Sequence, residues 1–270
     1  MDEYFSANRA NWDERVAIHL RDTTGLYRHD ALKNGEDVLG PIESAEIGDV
    51  TNKRLLHLQC HFGSNTISLA RRGARATGLD FSPKAIAAAR GLAHELSVDV
   101  EFVEGNVYDA PALAGTDYEV VYTTWGTIGW LPSISQWARA VAGCLAPGGF
   151  LYMADGHPTL HMIDERDGRL EILWDWRTPE NAPIVEMNEQ SYAGDGTRIE
   201  NLRTYSWNHP LSDIIGALAE AGLALEFLHE HETIPWRAFP SMVSAGDGMF
   251  AQTDGQTKLP LAFSLKAVKG

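Results

Sequence analysis

Between residues 54 and 154, short apolar runs alternate with stretches of helical period. Arg54–Leu58, Arg75–Leu79, Val100–Glu104, Glu119–Tyr122 and Phe150–Ala154 are short and rich in Leu and Val, and read as strands. Between them, Ser64–Arg72 has the pattern of a helix that stops at Gly73, a natural C-terminal cap. Ser82-Pro83 supplies a cap residue and a first-turn proline to an alanine-rich helix over Lys84–Leu96. Ser133–Leu145 predicts a further helix, ended by Pro147-Gly148-Gly149. Such alternation predicts a parallel sheet with helices on both faces. Upstream, Asn8–Leu20 suits a helix with Trp12, Val16 and Leu20 on one face, and a second short helix is expected around Asp37–Ile47. Gly25, Gly35, Gly40 and Pro41 break that region into short pieces. Residues 156–206 show no long helical period, and Leu170–Trp174 and Thr197–Tyr205 look like antiparallel strands. A helix over Pro210–Ala221, closed by Gly222, then precedes strands at Leu225–Glu230 and Leu261–Val268.

The chemistry begins where the second strand ends. Gly78-Leu79-Asp80 places an acid at the end of the second strand of a βαβ unit, where a carboxylate takes both hydroxyls of a ribose. An adenosine-bearing cofactor is therefore expected. Bulk properties narrow the partners. The chain has 270 residues, enough for one large α/β domain with an elaboration. Its formal charge of -15 repels phosphate backbones and argues against a nucleic-acid partner. No apolar run of about 18 residues is present, so no membrane span is expected. The start, Met1-Asp2-Glu3-Tyr4, is acidic without an apolar signal core, and a cytoplasmic protein is expected. Two cysteines, Cys60 and Cys144, are too few for a disulfide framework and are expected as buried thiols.

The segments His57–Gly63, Asp80-Phe81-Ser82-Pro83, Glu104–Asp109, Pro147-Gly148-Gly149 and Trp207-Asn208-His209-Pro210 resemble the class I S-adenosylmethionine-dependent methyltransferases. The likeness is greatest to a bacterial small-molecule group with a Leu-Gln-Cys-His-Phe-Gly first motif. It covers roughly residues 50–155 and 206–270. The resemblance implies an α/β fold: a Rossmann-like seven-stranded, mostly parallel sheet with helices on both faces, an N-terminal helical lid and an inserted antiparallel cap. The lid takes residues 1–50, the cofactor-binding core 51–155, the cap 156–206, and 207–270 completes the core sheet. It further implies S-adenosyl-L-methionine as cofactor and a small-molecule acceptor for a monomeric or homodimeric enzyme. The family's first motif is an acid followed by Gly-x-Gly-x-Gly, whereas this chain carries His57, Gln59, His61 and Gly63. Side chains at 59 and 61 would crowd a pyrophosphate. That weakens the rival reading of a nicotinamide-dependent oxidoreductase. A cofactor-binding protein without catalysis is a further alternative.

By the same resemblance, Gln59, His61, Gly63, Asp80, Phe81, Asn106, Val107 and Thr124 hold the cofactor, with Phe81 along the adenine and Asn106 at its amino group. Tyr4, Trp12, Arg15 and Tyr27 in the lid are expected to touch cofactor or acceptor. Trp125 and Trp130, after the fourth strand, are expected to wall the acceptor pocket or face a cation. His157, just after the fifth strand, is the expected general base, and His209 and His231 are further pocket residues. His19 and His29 are expected on the surface. His157 and His161 stand four apart, but Pro158 between them argues against a helical metal pair, so no metal is expected.

Overall fold

The computed structural model describes residues 2–253, 255 and 258–270. Its centre is a seven-stranded sheet. The core strands are β1 (Arg54–Leu58), β2 (Arg75–Asp80), β3 (Glu101–Glu104), β4 (Tyr118–Thr124) and β5 (Leu145–Gly156). Four short strands follow, β6 (Ile163–Arg166), β7 (Arg169–Ile172), β8 (Ile184–Met187) and β9 (Arg203–Ser206). The chain then adds β10 (Leu223–His231), β11 (Thr233–Ile234), β12 (Val243–Gly246), β13 (Met249–Ala251) and β14 (Ala262–Lys269). In space the large sheet runs β10-β14-β5-β4-β1-β2-β3. Only β14 runs against the others, pairing antiparallel with both β10 and β5. The fold class expected from the sequence is the one observed.

Helices α1 (Asp2–His19), α2 (His29–Lys33), α3 (Pro41–Glu46), α4 (Ser64–Arg71), α5 (Pro83–Glu95), α6 (Ala110–Leu113), α7 (Ile134–Cys144) and α8 (Leu211–Glu220) flank the sheets. Strand alternation sorts the two faces. Leu56, Leu58, Val121 and Leu151 pack with Trp137, Val141, Ile214 and Leu218 from α7 and α8. Their neighbours Leu55, Val120, Tyr122 and Tyr152 pack on the opposite side with Ile47, Val50 and Leu69. Ser82 caps α5 through its Oγ, which accepts from Ala85 N at 3.0 Å. Ser133 caps α7 by accepting from Gln136 N. The predicted second helix is in fact the shorter α3, begun by Pro41, and α2 precedes it.

Register aligns the carboxyl ends of the parallel strands. Asp80 pairs with Glu104 across β2 and β3, and Thr124 pairs with Ala154 across β4 and β5. Loops from five strands therefore open on one edge, where ligands bind in folds of this kind.

Two elaborations cover that edge. Residues 163–206 form the hairpin β6–β7 and the pair β8–β9. Of the expected strand Thr197–Tyr205, only its end forms, as β9. Residues 233–251 add a three-stranded sheet, β11-β13-β12, in a stretch whose Pro, Gly and Asp content reads as loop. α1 ties these layers together. Asn8 donates from Nδ2 to the Tyr205 carbonyl and accepts from Tyr205 N, both at 2.8 Å. Ser82 Oγ donates to Asp13 at 2.5 Å, joining α1 to the start of α5. The buried surface of α1 is mixed: the polar Asn8, Asn11, Arg15 and His19 are at most 4% exposed, as are Val16 and Ile18, whereas Leu20, just beyond the helix, is 42% exposed. His19 is thus an interior residue, not a surface one, because its ring nitrogens meet His61 Nε2, Tyr27 Oη and Ser191 Oγ. His29 is half-buried, its Nε2 2.8 Å from the His19 carbonyl oxygen. Among the described residues, no helix is long and apolar enough to cross a membrane.

Candidate active site

A cavity of about 1060 Å³ lies over the carboxyl edge of the sheet, between α1, the cap and the 233–251 sheet. Its floor begins at the turn after β1. Gln59, His61 and Gly63 all adopt left-handed backbone, with φ of 55°, 51° and 80°. These are the positions that carry glycine in the family's first motif. The turn keeps the backbone path glycine permits while bearing two large side chains. Two bonds hold it: His61 N donates to Asp80 Oδ2 at 2.8 Å, and Gln59 Nε2 donates to the Thr127 carbonyl at 2.9 Å. Gly63 itself has no room for a side chain, since a Cβ there would lie 2.6 Å from the Phe102 ring.

Asp80 is 6% exposed and also accepts from Ser82 N through Oδ1 at 2.9 Å. Each carboxylate oxygen keeps a second lone pair for a further donor. Burial raises its pKa to about 6, against the lowering effect of the Ser82 and His61 N–H groups. Phe81, Asn106 and Val107 line the cavity beside it. Asn106 Oδ1 also caps the turn after β3, accepting from Tyr108 N at 3.0 Å. A buried carboxylate at the end of β2, flanked by an aromatic ring and by the turn after β3, fits a nucleoside cofactor. Asp80 and Asn106 would hold its sugar and base.

The opposite wall follows β4. Thr124, Trp125 and Trp130 all line the cavity. Trp125 has φ 54°, a backbone conformation that is costly for a bulky side chain. Asp155, at the end of β5, secures this loop. Its oxygens accept from Gly126 N at 2.5 Å, and from Thr127 N and Oγ1 at 3.0 Å each. The sequence offered no sign of that role. A second fastening joins Trp125 Nε1, donating at 2.6 Å, to Glu43 Oε1 on α3. Trp125 and Trp236 meet edge to face, as do Trp12 and Trp130.

The lid brings Trp12 and Tyr27 to the cavity. Tyr27 Oη lies 2.8 Å from His19 Nδ1, which is 3.0 Å from His61 Nε2. Burial lowers the His19 pKa to about 3 and holds His61 well below its ordinary value, so both rings are neutral imidazoles, one donating to the other. Arg15 and Tyr4 take structural positions outside the cavity lining. Arg15 Nε donates to Asn11 and its guanidinium lies over Trp12 and Tyr192, while Tyr4 packs on Tyr205 and Trp207.

Three of the four histidines singled out after β5 lie outside the lining. His157 Nε2 is 3.0 Å from Glu230, and its Nδ1 accepts from Thr159 N. The strand end turns it toward β10 and β14, not toward the cavity. His209 is buried against the Leu131 carbonyl at 2.7 Å. His231 is 2.8 Å from Ser264 Oγ on β14. His161, one short helical turn beyond His157, does line the cavity and lies over Gly156. Burial lowers its pKa, with Asp155 opposing. Among the described residues, no group of three or more His, Cys, Asp or Glu is placed to hold a metal.

Four buried side-chain atoms on cavity-lining residues lack any hydrogen-bond partner: Glu43 Oε2, His57 Nε2, Gln59 Oε1 and Ser64 Oγ. Interiors seldom leave such groups unpaired, and bound water, an ion or a ligand usually completes them.

Comparisons with known proteins agree with this architecture. The family model described as "Methyltransferase domain" matches residues 56–151. A ubiquinone biosynthesis O-methyltransferase of Cronobacter sakazakii is 31% identical over 145 residues, 52% of this chain and 57% of that protein. The Escherichia coli enzyme of the same name is 30% identical over 145 residues, 52% and 58% of the two chains. The chain thus spans little more than half the length of these relatives. In solved structures, a protein from Listeria monocytogenes assigned to the S-adenosylmethionine-dependent methyltransferases superposes with TM-score 0.61 at 16% identity, over 89% of this chain and 99% of that one. A Mesorhizobium loti methyltransferase gives TM-score 0.56 at 17% identity, over 85% and 96%. At those identities the likeness speaks for the fold alone.

Proposed function

We propose that the chain is a class I S-adenosylmethionine-dependent methyltransferase that moves a methyl group from that cofactor onto a nitrogen, an oxygen or an activated carbon of a small metabolite, a reading supported by the match to a methyltransferase domain over residues 56–151. The observation that carries this reading is the buried Asp80 at the ribose position of a cavity roofed by a cap. A volume of about 1060 Å³ is at the upper end of the range for small-molecule sites, which leaves space for an acceptor beside the cofactor. The charge of -15 disfavours a nucleic-acid acceptor. Both cysteines are free and buried, which suits a reducing compartment such as the cytoplasm.

The cofactor supplies an electrophilic methyl group on a sulfonium, so the protein's part is to align, desolvate and manage the acceptor's proton. Alignment of this kind is worth on the order of 7–11 kcal/mol. Trp12, Trp125 and Trp130 exclude water from the acceptor side. Burial keeps the His161 imidazole neutral, so it can take a proton from a hydroxyl or ammonium acceptor. His161 thereby replaces His157 as the proposed base. His161→Ala is expected to lower kcat by about 10²- to 10⁴-fold and leave cofactor affinity within about twofold. Equal rates for the two proteins would remove His161 from the chemistry. The function itself is tested by incubation with labelled cofactor and a metabolite extract, read by mass spectrometry as products gaining one CH₂.

A further inference from the structure

The unpaired buried atoms around the first turn point to a ligand group of definite chemistry. Glu43 lies on α3, outside every motif singled out in the sequence, yet it is 1% exposed and lines the cavity. One of its oxygens is engaged by Trp125 Nε1 at 2.6 Å and by Gly40 N at 3.3 Å. The other, Oε2, has no partner. Gln59 shares the pattern: its amide nitrogen is spent on the Thr127 carbonyl, and its Oε1 is buried and unpaired. The two are linked through the loop after β4, since Trp125 binds Glu43, Thr127 binds Gln59, and Asp155 fixes Gly126 and Thr127. Gln59 Oε1 is an acceptor, and so is Glu43 Oε2 when the carboxylate is ionised, as an ammonium partner would make it. A buried, unpaired carboxylate oxygen on a cavity wall that also carries the Trp125 and Trp236 rings suits a donor that is cationic and partly apolar.

We propose that Glu43, with Gln59 Oε1, forms a subsite for a protonated amine. Resting on the methyltransferase reading above, this assignment allows two sources for the amine: the amino-acid end of the cofactor, or an amine acceptor. Burial raises the Glu43 pKa, and an ammonium bonded to Oε2 would oppose that shift.

Calorimetric titration of the wild-type chain and of Glu43→Gln separates the possibilities. Glutamine keeps the size and the oxygen that receives the Trp125 N–H, and removes the charge. If the cofactor's amine is held, Glu43→Gln weakens S-adenosylhomocysteine by about 10- to 100-fold. It then leaves 5′-methylthioadenosine, which lacks the amino-acid end, unchanged. If an acceptor amine is held, S-adenosylhomocysteine binds both proteins alike. In that case, spermidine and dimethylglycine, as probe amines added to the cofactor-loaded protein, bind wild type at least tenfold tighter than Glu43→Gln. A wild-type measurement needs no variant: the analogue of S-adenosylhomocysteine with hydrogen in place of its amino group should bind about 10- to 100-fold more weakly in the first case. Equal binding of every probe to both proteins, with wild type preferring neither charged form, overturns the subsite and leaves the methyltransferase reading intact. No binding of S-adenosylhomocysteine to folded wild type overturns both.

Discussion

Asp80→Asn will weaken S-adenosylhomocysteine binding by about 100-fold, through the loss of charge-assisted bonds to a ribose. Titration calorimetry measures it, and 5′-methylthioadenosine, which carries the same ribose, should lose as much. The pH dependence adds a check with opposite signs. Asp80 titrates near its ordinary value of 3.8 when unfolded and at about 6 when folded. The folded state therefore holds the proton more tightly between those values. Its contribution to stability is fully present below the unfolded pKa and is lost as pH rises through about 6. A ribose prefers the charged acceptor, so cofactor affinity moves the other way. Between about pH 5 and pH 7 the wild-type affinity should rise, and that of Asp80→Asn should stay flat. Parallel slopes for the two proteins would assign the effect to another group.

Asp155→Ala should be the more damaging change to the fold. The carboxylate is 2% exposed and receives Gly126 N, Thr127 N, Thr127 Oγ1 and Gly156 N. Removing it leaves several buried donors unpaired, at about 1–3 kcal/mol for each that no water can reach. A loss of roughly 3–5 kcal/mol in unfolding free energy is expected, visible as a lower urea midpoint with little change in slope. Because Asp155 also holds the left-handed Trp125 in place, residual folded protein should lose turnover as well. A variant that melts like wild type would show that the β4 loop stands without it.

How far the sequence foretold this arrangement depends on what each residue answers to. Asp80 was readable because a strand-ending acid is a local pattern, set by β2 and the turn that follows it. The five parallel strands and α4, α5 and α7 were readable because each buries an apolar face or carries its own cap, as Ser82 and Ser133 do. The lid was readable as a helix but not in its facing. Beside the buried Val16 and Ile18 runs a polar stripe, Asn8, Asn11, Arg15 and His19, because Asn8 and Asn11 bond backbone of the cap while Arg15 and His19 bond side chains such as Ser191. Hydrophobic periodicity therefore chose Leu20 and left His19 outside. The cavity-side roles of Glu43 and Asp155 were not readable, because the bonds to Trp125 and Thr127 that create them cross 82 and 28 residues of chain, and the local bonds to Gly40 and Gly156 say nothing of a site. His157 and His161 differ by one short turn, and only the three-dimensional path of the β5 end separates the pocket residue from the one paired with Glu230. The small sheet over 233–251 was hidden by its turn residues, which form tight connections between very short strands.

What fills the cavity decides the function. Titrating the wild-type chain with S-adenosylmethionine, and separately with NADH, at neutral pH puts that to the test. One equivalent of S-adenosylmethionine should bind saturably while NADH gives no heat. A folded sample that ignores S-adenosylmethionine, or that binds NADH more tightly, would contradict it.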